Sequence, residues 1–128
     1  MAKILIVEDE KDLVQVIMER LDSCGHDVDV AFDALQAMMK LSKYKPDLVL
    51  LDISMPAGGG LQVLRNIRMN IRLFALQVIV MTGSQDEKIK EEAKKLGVAA
   101  YYIKPVDMNV LKKKIAEIVS QRKEDKEE

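Results

Sequence analysis

Five reactive side chains each follow an apolar run. Glu8 and Asp9 follow "ILIV", Asp52 follows "LVLL", Thr82 follows "VIVM", and Lys104 follows "AYYI" and precedes Pro105. Burying a lone carboxylate is costly, so Asp52 at the end of an apolar run calls for partners. Three carboxylates gathered at one place repel, and a divalent cation relieves that repulsion. An oxygen-only ligand set favours a hard ion, Mg²⁺ or Mn²⁺, over Zn²⁺. Mg²⁺ keeps several waters and takes only one or two protein carboxylates, which leaves room for a phosphoryl oxygen. Lys104 offers a point charge to a second such oxygen and Thr82 a hydroxyl to the third. These are the requirements of phosphoryl transfer, with Asp52 as candidate nucleophile. The chain has neither a GxxxxGK[ST] loop nor a GxGxxG after its first apolar run, so no nucleotide site supplies the phosphoryl group.

Convergence of these residues depends on the elements between them. Continuous apolar runs at Ile4–Val7 and Leu48–Leu51, the alternating "DVDVAF", "LQVIVM" and "AAYYI" read as five strands. Helical spacing fills the gaps. Leu13, Ile17 and Leu21 form one face before Gly25; Leu35, Met38 and Leu41 form a second; Leu61, Leu64, Ile67 and Ile71 form a third. Ile89, Ala93 and Leu96 make a narrow fourth stripe, and Leu111, Ile115 and Ile118 a fifth. Five strand–helix pairs in alternation predict an α/β fold: a doubly wound parallel sheet with helices on both faces. In such sheets ligands bind beyond the carboxyl ends of the strands, where all five reactive residues fall.

Bulk properties bound the reading. The 128 residues suit one domain; with 20 basic and 21 acidic side chains, the net charge of −1 gives no sign of nucleic acid or a membrane surface as partner. No apolar stretch approaches the roughly 20 residues of a membrane span, and no cleavable signal precedes the first strand. The single cysteine, Cys24, excludes an internal disulfide and fits a reducing cytoplasm.

The motifs "ILIVEDE", "DLVLLDISMP", "VIVMTG" and "YYIKP", in this order, resemble the response-regulator receiver domain of two-component signalling, over about Lys3 to Val119. The resemblance implies a flavodoxin-like (βα)5 sandwich with strand order 2-1-3-4-5. It implies Asp52 as phosphoacceptor, and a Mg²⁺ (or Mn²⁺) site made by Glu8, Asp9, Asp52 and the backbone carbonyl of Ser54. It implies Thr82 and Lys104 as phosphoryl contacts, and Thr82 with Tyr101 as the switch. The implied donor is a sensor histidine kinase or phosphotransfer protein, and the implied response a change in the helix 4–strand 5–helix 5 surface that binds a downstream protein. Residues 1–121 are then the receiver domain and 122–128 a polar C-terminal tail, in a cytoplasmic monomer for which dimerisation on phosphorylation stays open. Departures from the family pattern include Glu8 where Asp is more frequent, Val106 where an aromatic is common, and "MPAGGG", whose three glycines predict a more mobile loop.

Simpler readings exist for each residue. Glu8 and Asp9 suit the start of a helix, Thr82 a turn, Lys104 the extended conformation before proline, and Tyr101 a static half-buried position. Cys24 and His26 lack further ligands for a metal. "KKK" at Lys112–Lys114 is either a solvated helix face or part of a surface for an acidic partner. Three functions compete: a stand-alone phosphorylated switch or the receiver fragment of a longer regulator, a phosphate-independent interaction module, and a phosphatase using an aspartyl-phosphate. The last needs a general acid two residues after Asp52, where Ser54 stands.

Overall fold

The computed structural model describes residues 2–127, with side chains described through Arg122. Five strands alternate with five α-helices: β1 Lys3–Val7, α1 Lys11–Ser23, β2 Asp27–Ala31, α2 Ala34–Tyr44, β3 Leu48–Asp52, α3 Gly59–Met69, β4 Gln77–Thr82, α4 Glu87–Lys95, β5 Ala100–Ile103 and α5 Met108–Glu127. A short 3₁₀ turn, Pro56–Gly58, leads into α3. All strand pairs are parallel, in the order β2-β1-β3-β4-β5. No helix among the described residues is long and apolar enough to cross a membrane.

Strand alternation sorts the core into two layers. Leu5, Val7, Val49, Leu51, Val78 and Val80 face α2, α3 and α4 through Ala37, Leu41, Val63, Leu64, Ile67 and Ala93. The intervening residues Ile4, Ile6, Leu48, Leu50, Ile79 and Met81 face α1 and α5 through Val14, Ile17, Leu21, Leu111 and Ile115. Both faces are covered, which is why the central strands read as unbroken apolar runs.

Two helical faces differ from expectation. In α2 the inward row is Ala34, Ala37, Met38 and Leu41, while Leu35 is 73% exposed. At about 100° per residue, Leu35 sits well round the axis from Leu41 and cannot share its row. In α3 the helix stops at Met69, leaving Ile71 exposed rather than inward. Asn70 ends it: its side-chain Oδ1 accepts from Arg72 N (2.8 Å) and its carbonyl from Phe74 N (2.8 Å), forming a turn that competes with the helix. In α1, Val14 is buried with Ile17 and Leu21, and Leu13 lies half-buried beside them. The backbone of α5 continues through 122–127, where the polar tail was expected; side chains after Arg122 lie outside the described residues.

Candidate functional site

Strand alternation also decides which reactive residues meet. Asp52 continues the parity of Leu48 and Leu50, and Glu8 that of Ile4 and Ile6, so both emerge on the α1/α5 side of the sheet. Lys104 follows β5, and its backbone N–H donates to the Thr82 carbonyl at 2.8 Å, pinning the two strand ends together. The Lys104–Pro105 peptide is cis. Lys104 Nζ lies 2.7 Å from Glu8 Oε1, 3.3 Å from Asp52 Oδ2 and 3.8 Å from Glu10 Oε2. One ammonium thus serves several carboxylates, two of them buried.

Ligand oxygens of Glu8, Asp9 and Asp52 lie within 4.8 Å of one another, the cation-type acidic cluster among the described residues. Glu8 is fully buried and Asp52 is 2% exposed, whereas Asp9 is exposed. Glu8 Oε1 is close to Lys104 but makes no aligned hydrogen bond, while Oε2 accepts from Glu10 N at 3.2 Å. Burial pushes the Glu8 carboxyl up to about 7, against the opposing pull of Lys104; the nearby Asp52 charge pushes the same way as burial. Burial alone would lower the Lys104 ammonium, but contacts with Glu8 and Asp52 outweigh it and hold its pKa above the ordinary value. A divalent cation suits this cluster on the cluster's own chemistry: all side-chain donors are carboxylate oxygens, and one buried oxygen still lacks an aligned donor.

Asp52 is oriented from both sides. Oδ1 accepts from Ser54 N (2.9 Å) and Ser54 Oγ (2.7 Å), while Oδ2 faces Lys104. Ser54 Oγ in turn accepts from Gly83 N at 3.4 Å. The hydroxyl contact of Ser54 with Asp52 goes beyond the carbonyl role expected of it at the metal, although a serine two residues after an Asp is a common turn partner. Gly60 was missed in its true role. A Cβ there would stand 2.1 Å from the Asp52 carbonyl oxygen and 2.7 Å from Ile53 Cα. The start of α3 therefore presses on the backbone that carries Asp52, and only glycine permits that approach. Gly58, at φ 69°, supplies the left-handed turn before it.

Thr82 and Tyr101 lie on the other parity. Thr82 is fully buried, and its Oγ1 accepts from Ser84 N at 3.0 Å. Tyr101 packs against the α2–α3–α4 layer and pairs in register with Val80, two residues before Thr82. The Tyr101 hydroxyl is buried with no hydrogen-bond partner among the described residues, and Lys90 Nζ sits 6.0 Å from the ring centre. Burial, then the charges of Glu87 and Asp86, raise the phenol's pKa. His26 and exposed Cys24 form no metal cluster among the described residues; His26 Nδ1 accepts from Ala2 N at 3.2 Å.

Residues 4–116 match the family described as the response regulator receiver domain. The chain belongs to that family. This receiver domain is 35% identical over 111 residues to response regulator ArlR of Staphylococcus saprophyticus, covering 87% of the chain and 49% of ArlR. It is 33% identical over 120 residues to protein PilH of Pseudomonas aeruginosa, covering 94% of the chain and 99% of PilH. The chain thus spans about half the length of some curated relatives and nearly all of others. Among solved structures, the Mn²⁺-bound form of response regulator Rcp1 superposes with a TM-score of 0.77 at 31% identity, covering 94% of this chain and 93% of that one. Receiver domains are phosphoacceptor signalling modules that work with histidine kinases or phosphotransfer proteins, and the expected fold and strand order are those observed.

Proposed function

We propose that this receiver domain accepts a phosphoryl group on Asp52 from a phosphohistidine and thereby changes what its α4–β5–α5 surface binds. The observation that carries this is the convergence of Glu8, Asp9 and Asp52 around Lys104 at one strand edge. In the transfer, an Asp52 carboxylate oxygen attacks phosphorus; the O–P bond forms as the P–N bond breaks, and the leaving imidazole keeps the electron pair. Ser54 and the strand end hold Asp52 in place for the attack, and Lys104 moves from carboxylates to a phosphoryl oxygen. Glu8, Asp9, Asp52 and the Ser54 carbonyl would hold Mg²⁺ or Mn²⁺, which when bound neutralises charge developing on the phosphoryl oxygens. That the similar Rcp1 is known in a Mn²⁺-bound form supports the choice of ion.

Thr82 is the relay. Its hydroxyl, which accepts from Ser84 N, donates its proton to a phosphoryl oxygen, and the altered β4 end shifts Tyr101, its diagonal neighbour on the same face. The helix beside Tyr101 is suited to respond, since Ala93 is the one fully buried residue of α4. Residues 1–121 act as the receiver unit, with 122–128 a polar tail. The same acidic pocket would promote attack of water on the acyl phosphate, so the domain sets the lifetime of its own signal. A monomer in the cytoplasm, passing the signal to a protein target rather than to nucleic acid or membrane, fits the near-neutral charge and lone cysteine.

Incubation with acetyl phosphate and Mg²⁺, followed by intact mass measurement, tests the reading. One phosphoryl group should appear, and none with chelator or in Asp52→Asn. A phosphate-independent module would show no addition under any condition. Mg²⁺ at millimolar concentration should also raise the melting temperature, because it binds only the assembled cluster; superimposable melts with and without the ion would count against the metal site.

A further inference from the structure

A wide groove lies at the end of the sheet opposite the acidic pocket and holds about 1350 Å³. Gln77, which opens β4, and Ala99, just before β5, form part of its floor. The end of α2 makes one wall, α5 another, and the Asn70–Leu76 turn a third. This turn exists because Asn70 stops α3 early, and its hydrogen bonds fix the shape it presents.

Among the described residues, charge in the groove has one sign. Lys45, Arg72, Lys114 and Arg122 line it, and no Asp or Glu does so among the described residues. Arg122 pairs with Asp47 at 3.1 Å and Lys114 approaches Glu117 at 3.7 Å. Lys45 and Arg72 have no carboxylate partner among the described residues. Between these cations the lining mixes apolar side chains with the neutral polar Ser42, Asn70, Gln77 and Gln121. Ile71 is 86% exposed, and Leu73, Leu76 and Ile118 line the groove beside it. A second cleft of about 420 Å³ shares Ala75, Leu76 and Gln77 with the first; it adds exposed Phe74 and two cations, Arg68 and Lys95, with no acid among the described residues. Leu73, Leu76 and Ile118 are half-buried, while Ile71 and Phe74 stand exposed in the same turn; exposed apolar side chains grouped together mark a binding surface, unlike singly scattered ones. The net charge of the chain is −1, so this cationic rim is local.

We propose that this groove docks an acidic polypeptide segment carrying apolar anchors. The anchors fill the space over Ile71 and Leu76, and carboxylates meet Lys45 and Arg72. Concavity favours a peptide over a lipid surface, because a bilayer engages apolar side chains that project from a flat or convex face. The site also gives a use to part of the Lys112–Lys114 run, since Lys114 belongs to the groove rim. It does not depend on the phosphoacceptor reading, because none of its residues belongs to the acidic pocket.

Selection of a random peptide display library against the full chain tests the proposal. Enriched peptides should combine Asp or Glu with Leu, Ile or Phe. In ¹⁵N spectra of the full chain they should shift the amides of Ile71, Leu76 and Ile118. Fluorescence anisotropy should show binding weakened roughly tenfold by Ile71→Asp, by Arg72→Glu and by Lys45→Glu, as for loss of one anchor in an interface. All three side chains are exposed, so melting and labelling by acetyl phosphate should match wild type in each variant, which separates failure here from failure of the Asp52 assignment. Peptides without acidic enrichment, shifts confined to other faces, equal affinity in all three variants, or binding to phosphatidylglycerol vesicles without binding to peptides would each overturn it.

Discussion

Lys104 holds together charges that would otherwise repel, and Glu8 is the most constrained of them. Burial pushes the Glu8 carboxyl up to about 7, against an ordinary 4.5. The folded state then keeps a proton on Glu8 that the unfolded chain has released. The stability this provides is complete below pH 4.5 and is lost as pH rises through about 7. In chelator, Glu8→Gln should therefore lose less melting temperature than wild type across that window; parallel profiles would contradict the burial argument. Gly60 is constrained by space rather than charge. Gly60→Ala must move the start of α3 or the backbone of Asp52 and Ile53, at a cost of about 2 kcal/mol or more in denaturant melts. An unchanged midpoint would show that the two segments part easily. Gly60 illustrates what spacing alone does not reveal. "GGG" suggests mobility, but the third glycine is buried against the strand end that carries Asp52.

Helices α3 and α4 are joined by two arginines as well as by a shared apolar core. Arg65 forms a bidentate pair with Glu92, its Nη2 donating to Glu92 Oε1 at 2.8 Å. Arg68 donates to the carbonyls of Leu96 and Gly97 at the end of α4, and to those of Phe74 and Leu76 in the turn before β4. Arg68→Gln leaves partly buried carbonyls without donors and should cost roughly 1–3 kcal/mol. Amide exchange should quicken at the end of α4 and in the 70–76 turn, while β1 and β3 stay protected; uniform acceleration would mean that Arg68 supports the whole fold instead. The sequence revealed the elements themselves, because a strand buried on both faces and a helix buried on one leave different apolar periods. It was less informative where a small residue replaces a large one. Ala37 takes the inward place and leaves Leu35 outside, and Asn70 breaks an apolar repeat that otherwise runs on to Ile71. All the expected pocket residues do lie at one strand edge, but they divide between two faces. Alternation counted along each strand separates Glu8 and Asp52 from Thr82, so that division is legible in the sequence.

The sheet separates two chemistries by placing them at its opposite ends. Carboxylates and Lys104 gather where the strands finish, and the cationic apolar groove forms where they begin. Between them lie central strands whose core residues are fully buried, giving the pocket a stiff floor. On the proposed reading, a change at Asp52 reaches α4 through Thr82 and Tyr101, which share a face of the sheet that Asp52 does not. The central claim is the identity of the nucleophile. Trapping the acetyl phosphate-labelled protein with borohydride, which reduces an aspartyl phosphate to homoserine, and mapping the modified peptide reads it directly. The account predicts homoserine at position 52 and nowhere else, in a Mg²⁺-dependent yield; reduction at Glu8 or Asp9, or no reduced residue at all, would contradict it.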